Sequence, residues 1–364
     1  MVNSSMIGIT NKSKGCPPLV TITPFGTNLQ SMSKETKIPI TIAPGSTPQV
    51  RVVFMGTPKF GAAILSGLIE AKYHIVGVVT RPDRPVGRDQ TTEKSPVKLL
   101  AETHELPLIQ PERLDAEALK QLKNWKPDLI VVAAYGRILP ESLLELPGFG
   151  CVNVHTSLLP RWRGASPIQN ALLAGDTETG VTIMLLDKGM DTGDIIAKRS
   201  LSIDPHERAD TLTEKLTDLG TTLLLETLPL WVKRKVTATP QPNEGVTLCQ
   251  LIEREDGRVF WDMSATEIYN RFRGLYPWPG LFTFWQRGED DLVRIKLHDI
   301  EFQKLNPGSE RKIGEVFEIG EDIGVQTGEG VILLKTVQLE GKTATPIRQL
   351  LQGNPTFIGS LLVS

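Results

Sequence analysis

Two hydrophobic periods alternate along residues 51–235. Short continuous apolar runs predict buried strands, and segments with apolar residues every three or four positions predict helices. Strands are expected at Arg51–Met55, His74–Thr80, Leu108–Gln110, Asp128–Ala134 and Cys151–His155, with later ones at Val181–Leu186 and Ile195–Leu201. Helices are expected over Phe60–Ile69, Pro96–His104, Leu114–Trp125 and from about Asp210 to Val232. Thr57 is placed to cap the first helix, with Pro58 at its first position. Residues 81–95 are polar and rich in Pro and Arg, and read as a loop. The alternation predicts an α/β fold class, a doubly wound and mostly parallel sheet, with ligands at the carboxyl ends of its strands. The loops at 56–58, 81–95, 135–140 and 156–164 all fall at such ends.

Residues 236–247 hold Pro240, Pro242 and Gly245 among polar residues and read as a linker between a domain at 50–235 and another at 248–364. Beyond it one helix, Ala265–Arg273 with Ser264 as its cap, precedes short segments at Leu281–Trp285, Val293–Leu297, Gly314–Glu318, Ile323–Thr327 and Val331–Leu339. Gly and Pro punctuate them, which predicts a small β-barrel. Residues 1–49 differ again: Ser, Thr, Pro and Gly dominate, with four lysines and one acid, Glu35. They read as a disordered tail or as an over-long start, Met32 being a second candidate start. The scarcity of acids suits an organelle transit peptide, but there is no arginine and no clear amphipathic helix.

Composition narrows the classes. The chain has 364 residues, enough for two cores, with 40% hydrophobic and 23% charged residues. A net charge of −2 carries no global signature of nucleic-acid binding, so any RNA contact must come from local patches. Cys16, Cys151 and Cys249 form no CxxC pair and the five histidines fall at no metal-ligand spacing, so no metal is expected. No apolar run reaches the roughly 18 residues of a membrane span, so no membrane partner is expected.

The chemistry concentrates at the end of the strand Cys151–His155. Asn153 and His155 alternate with Val152 and Val154, so a period of two puts amide and imidazole on one face. An amide donor beside a titratable ring suits a transient oxyanion. Taken singly, each is more simply a turn cap or a satisfied histidine. Asp191 lies in the Gly-rich turn 189–193, where an acid is usually a solvated turn-former; the alternative is an acid that orients the imidazole. Arg81, Arg84, Arg88, Lys94, Lys98, Arg161 and Arg163 lie on two of the crevice loops, as plain surface charge or as a phosphate-facing patch. The turn Met55–Pro58 lacks GxGxxG, which speaks against a nicotinamide cofactor.

The run Asn153-Val-His155-Thr-Ser157-Leu-Leu-Pro160, the turn Asp187–Asp194, the loop Thr80–Arg88, the run Arg161–Gly164 and the segment Tyr276–Pro279 together resemble the methionyl-tRNA formyltransferases, from about Arg51 to the C-terminus. The resemblance implies a formyltransferase-type Rossmann variant followed by an oligonucleotide-binding-like barrel. It implies 10-formyltetrahydrofolate as formyl donor and the α-amino group of methionyl initiator tRNA as acceptor. Asn153, His155 and Asp191 match its catalytic trio. Ser157, Leu158, Leu159 and Pro160 match its folate-contacting stretch, and Tyr135, Gly136, Arg137, Ile138 and Leu139 a backbone segment that meets the pterin. Arg84, Arg88, Lys94, Arg161 and Arg163 are the expected tRNA contacts, and a cytoplasmic monomer is expected. Three features depart from the family pattern: Thr156 stands where glycine is frequent, residues 89–93 carry acids and threonines, and residues 251–364 hold 13 Lys and Arg against 17 Asp and Glu, a net of −4. The same trio would serve a formyl-folate hydrolase or an amino-sugar formyltransferase, and a non-catalytic RNA-binding module is the rival of another class.

Overall fold

The computed structural model describes residues 49–86, 91–288, 291–304 and 311–364. All of these belong to one compact unit, Ile42–Ser364. The expected tail 1–49, except its last residue, and the expected tRNA contact Arg88 lie outside the described residues.

The first half alternates as its periodicity predicts: β1 (Arg51–Gly56), α1 (Lys59–Glu70), β2 (His74–Val79), α2 (Pro96–Thr103), β3 (Leu108–Ile109), α3 (Ala116–Asn124), β4 (Leu129–Ala133), α4 (Glu141–Leu144) and β5 (Cys151–His155). Then come α5 (Pro167–Leu173), β6 (Glu178–Leu185), β7 (Ile195–Ser202) and α6 (Ala209–Val232). The strand order is β7-β6-β5-β4-β1-β2-β3. Strands β1 to β5 are parallel, and β6 and β7 continue the sheet antiparallel. The chain winds from β1 outward through β2 and β3, then returns to lay β4 on the other side of β1. That reversal opens a crevice at the carboxyl ends of β1 and β4. The start of α1 closes tightly on this point: a Cβ on Gly61 would sit 2.8 Å from the Ala133 carbonyl oxygen.

Both faces of the sheet are covered, as its apolar strands require. Val52, Phe54, Val131, Val152 and Val154 pack against α1 and α6 through Ile64, Leu65, Leu68, Leu212 and Leu216. The alternate residues Val53, Met55, Ile130, Val132 and Cys151 pack on the other side with Leu122 and Leu143. Asn153 and His155 follow Cys151 on that second face.

Differences from the sequence pattern are local. Pro58, not Thr57, is the cap of α1, with φ −79° and ψ −178° and no side-chain cap bond, so the helix starts at Lys59. The turn is one residue longer than the capping pattern suggests, and the Thr57 hydroxyl is buried without a partner. Within the polar stretch 81–95, Arg84–Val86 and Thr91–Glu93 pair as an antiparallel hairpin. Helices α4 and α5, of four and seven residues, are too short to show a period.

The second half forms its own core. α7 (Ala265–Gly274) is followed by β8 (Leu281–Gln286), β9 (Leu292–Gln303), β10 (Val316–Ile319), β11 (Asp322–Gln326), β12 (Val331–Leu339) and β13 (Leu361–Val363). The order is β10-β11-β12-β9-β8-β13. The two ends meet: Val316 N donates to the Ser360 carbonyl at 3.0 Å and Leu362 N to the Gly314 carbonyl at 2.8 Å, which closes the sheet into a barrel. Ile268 and Phe272 of α7 plug it. α7 carries the expected capping box, Ser264 with Glu267. The two cores touch where Leu173 of α5 packs on the barrel core and Arg273 of α7 donates to the Asp204 and Glu207 carbonyls.

Candidate active site

The site is built on the end of β5. Asn153 lies between Val132 of β4 and Met184 of β6, and His155 opposite Thr182. Two residues apart on one strand face, their Cβ atoms stand about 6.5–7 Å apart. Both residues are nearly buried, at 8% and 5% exposure. The Asn153 amide has no hydrogen-bond partner among the described residues and is not sealed off from solvent, so it remains available to a bound group. His155 is held at both ring nitrogens. Nε2 lies 2.9 Å from the Trp162 carbonyl oxygen. A carbonyl only accepts, so Nε2 carries the proton. Nδ1 faces Asp191 Oδ2 at 3.7 Å, an ion-pair distance rather than a hydrogen bond. Asp191 Oδ2 accepts from the Gly164 N–H at 2.9 Å.

Three residues around the ring have left-handed backbones: Trp162 (φ +62°), Gly164 (φ +122°) and Asp191 (φ +53°). Such conformations cost of order 1–3 kcal/mol each for residues other than glycine and persist only where surrounding contacts impose them. The contacts are visible. Arg161 makes two bonds to Asp176, at 2.8 and 2.6 Å, and lies over the Trp162 ring at 4.3 Å. Trp162 Nε1 donates to the same carboxylate at 2.8 Å. Asp176 pushes the Arg161 guanidinium pKa up, by its hydrogen bond first. Arg163 donates to Gln241, and Arg163–Gly164 pairs with Leu248–Cys249.

The stretch expected to meet folate divides by burial. Ser157 Oγ donates to the Arg161 carbonyl at 2.6 Å, and Leu159 is fully buried against Met184 and Ile195. Leu158 and Pro160 keep exposed surface. Thr182 ties the loop to β6: its hydroxyl donates to the Ser157 carbonyl at 2.7 Å and accepts from Leu159 N at 3.1 Å. Thr182→Val keeps the shape and strips both bonds. It should destabilise the protein by about 2–4 kcal/mol, the cost of two unpaired buried backbone groups. Denaturant unfolding measures this; an unchanged midpoint would mean the loop is held by its apolar contacts alone. In the 135–139 segment Tyr135 and Leu139 are buried, Arg137 donates to the Pro111 carbonyl at 3.0 Å, and Gly136 (φ +74°) and Ile138 face outward.

Among the described residues, three of the expected tRNA cations have partners within the protein. Arg161 and Arg163 are engaged as described, and Lys94 pairs with Glu102 at 2.8 Å. Arg84 is exposed and lines a hollow of about 250 Å³ with Thr57, Arg81, Lys94 and Ser95, at the ends of β1 and β2. Sequence reasoning missed Asp176, Thr182, Gln241 and Thr247. None carries a local signal: Asp176 follows a short helix, and Gln241 and Thr247 sit in the segment read as a linker.

Cys151 precedes Asn153 and His155 on the same face, which invites a thiolate–imidazole reading. Burial pushes its thiol pKa up to about 12, and Sγ lies in the apolar core near the Leu143 carbonyl. It is not a nucleophile at neutral pH. Among the described residues no group of three or more His, Cys, Asp or Glu stands together as a metal site.

An open amide beside an imidazole–carboxylate pair, one strand out from the reversal point of a doubly wound sheet, suits an enzyme acting at a carbonyl carbon. Residues 50–228 match the family Formyl transferase, and residues 251–355 match Formyl transferase, C-terminal domain. A methionyl-tRNA formyltransferase of Geobacter sulfurreducens is 40% identical over 306 residues, covering 84% of this chain and 94% of that protein. One of Caldicellulosiruptor saccharolyticus is 42% identical over 315 residues, covering 85% and 99%. The chain belongs to the methionyl-tRNA formyltransferase family. Among solved structures, an N-formyltransferase of Helicobacter canadensis in complex with folinic acid and dTDP-3-aminofucose superposes with a TM-score of 0.58 at 17% identity, covering 78% of this chain and 98% of that one. HypX of Aquifex aeolicus with tetrahydrofolic acid gives 0.56 at 17%, covering 84% and 47%. Both show the shared fold.

Proposed function

We propose that this protein transfers the formyl group of 10-formyltetrahydrofolate to the α-amino group of methionyl initiator tRNA. The observation that carries the reading is the open Asn153 amide beside the His155–Asp191 pair, in a chain about 40% identical to enzymes of that name over most of its length.

The free amine attacks the formyl carbon on N10, and the carbonyl π electrons move to oxygen. Asn153 donates to that oxyanion. In the resting site the Trp162 carbonyl holds Nε2–H of His155; an oxyanion is the stronger acceptor and takes this bond as it forms. In the reacting form Nδ1 also carries a proton, and Asp191, which faces it, stabilises that imidazolium. The C–N10 bond then breaks, and the proton lost by the amine passes to N10. No covalent intermediate with the protein forms. The folate lies along 135–139 and 156–160, where Gly136, Ile138, Leu158 and Pro160 offer surface. Arg84 on the hairpin and Lys94 just after it are cations placed to meet the tRNA acceptor end. Arg161 and Arg163 also brace the site, each bound to a partner within the protein.

A transfer assay tests this. The protein, 10-formyltetrahydrofolate and either methionyl-initiator or methionyl-elongator tRNA should give formyl-methionine on the initiator only. Folate turnover without formyl-tRNA would move the acceptor elsewhere, and no turnover would remove the enzymatic reading.

A further inference from the structure

Gln241 lies in the segment joining the two cores, yet its side chain reaches back into the site. Its Oε1 accepts from Arg163 Nε and Nη2 at 3.0 and 2.7 Å. Its Nε2 donates to the Asp191 and Gly193 carbonyls, both at 2.8 Å. A carboxamide has two N–H donors and an oxygen with two lone pairs, so every one of its hydrogen-bonding positions is used.

These four bonds join two loops that must keep a fixed spacing. One is 160–164, whose Trp162 carbonyl holds His155 Nε2 and whose Gly164 N–H holds the Asp191 carboxylate. The other is 187–194, which presents Asp191. That second loop is also tied by Asp187, which accepts from Gly189 N at 3.0 Å and, across Asp191, from the Thr192 hydroxyl at 2.7 Å. The part carrying Asp191 has a left-handed backbone (φ +53°), which local sterics disfavour. Gln241 holds the carbonyl of that very residue. Its neighbours in the segment each hold one side: Thr239 pairs with Ile195, just past the 187–194 loop, Thr247 Oγ1 accepts from Trp162 N at 2.8 Å, and the Cys249 thiol faces the Trp162 and Arg163 carbonyls. Gln241 is the residue of the segment that reaches both loops.

We propose that Gln241 is a positioning residue: it sets Asp191 against the His155 ring and so fixes the imidazolium that formyl transfer uses. The inference rests on the proposed reaction for its kinetic arm alone. A displacement of 1 Å in such a constellation costs about 10²-fold in rate.

Two variants separate the donors from the acceptor. Gln241→Glu keeps an acceptor for Arg163 but sets carboxylate oxygen against two carbonyls. Gln241→Met fills the space without any hydrogen bond. Both are expected to lower kcat by tenfold or more, with KM for folate and for methionyl-tRNA within about threefold of wild type. The test that a merely structural role would not pass is non-additivity: combined with Asp191→Ala, Gln241→Met should lower kcat no further. Long-range 1H–15N NMR of the His155 ring, assigned by its loss in His155→Asn, should show Gln241→Met moving the Nδ1 signal toward its position in Asp191→Ala. The NMR arm needs no acceptor, so it decides the inference even if wild type formylates no tRNA, a result that would defeat the proposed function instead. An unchanged Nδ1 signal overturns the proposal, as do a kcat within twofold of wild type and losses that multiply with Asp191→Ala.

Discussion

Asn153→Ala should lower kcat for formyl transfer by about 10²–10³-fold, the usual loss when one oxyanion donor is removed from a preorganised site. KM for both substrates should change little, because the bond to the oxygen strengthens only as negative charge develops. Stability should hardly move. Among the described residues the amide has no partner, so its removal strands no buried group there, and the backbone pairing of β5 is untouched. Steady-state kinetics beside a thermal melt reads both quantities. A near wild-type kcat would take Asn153 out of the reaction. Equal losses of rate and stability would make it a structural residue. His155→Ala differs in kind: it should cost at least as much rate and also release the Trp162 carbonyl and the Asp191 carboxylate.

Gly164→Ala should damage fold and chemistry together. At φ +122° an L-residue is strained, and the added Cβ would lie 2.1 Å from the Cys249 carbonyl oxygen, which is backbone and cannot swing aside. Relief requires Arg163–Gly164 and Leu248–Cys249 to separate. The Gly164 N–H that holds Asp191 moves with them. The expected loss is about 2–4 kcal/mol, combining backbone strain with overpacking, and a fall in kcat of tenfold or more. Gly148→Ala is the control, since its Cβ would meet nothing within 4 Å and its φ is not positive. Unfolding midpoints and kcat of the two variants should diverge sharply. Similar values for both would mean that the strand pair at 163–164 and 248–249 is soft and does not transmit strain to Asp191.

Much of the frame was legible along the chain. Strand and helix periods placed β1 to β7 and α6 within a few residues, because each element buries a whole stripe or face and its apolar spacing records that. The same period of two put Asn153 and His155 on the face shared with Cys151. The turn of α1 was misread by one residue, since Thr57 and Pro58 satisfy a capping pattern that the extended backbone at Pro58 shifts along. The 84–86 and 91–93 hairpin left no apolar alternation to read, its strands being only three residues long.

The chemistry of Arg161 and Arg163 shows where the sequence runs out. By charge and position they belong to an RNA-facing loop. Asp176, 15 residues on from Arg161, and Gln241, 78 residues on from Arg163, give both a partner within the protein. Sequence by itself determined the fold class and the family, because burial period and a contiguous motif are local properties of the chain. Tertiary structure alone decided which polar groups are spent and which stay open. Arg161, Arg163 and Gln241 are satisfied by residues 15 or more positions along the chain, while the Asn153 amide has no partner among the described residues. Hydrogen-bond satisfaction depends on distances that no local pattern encodes.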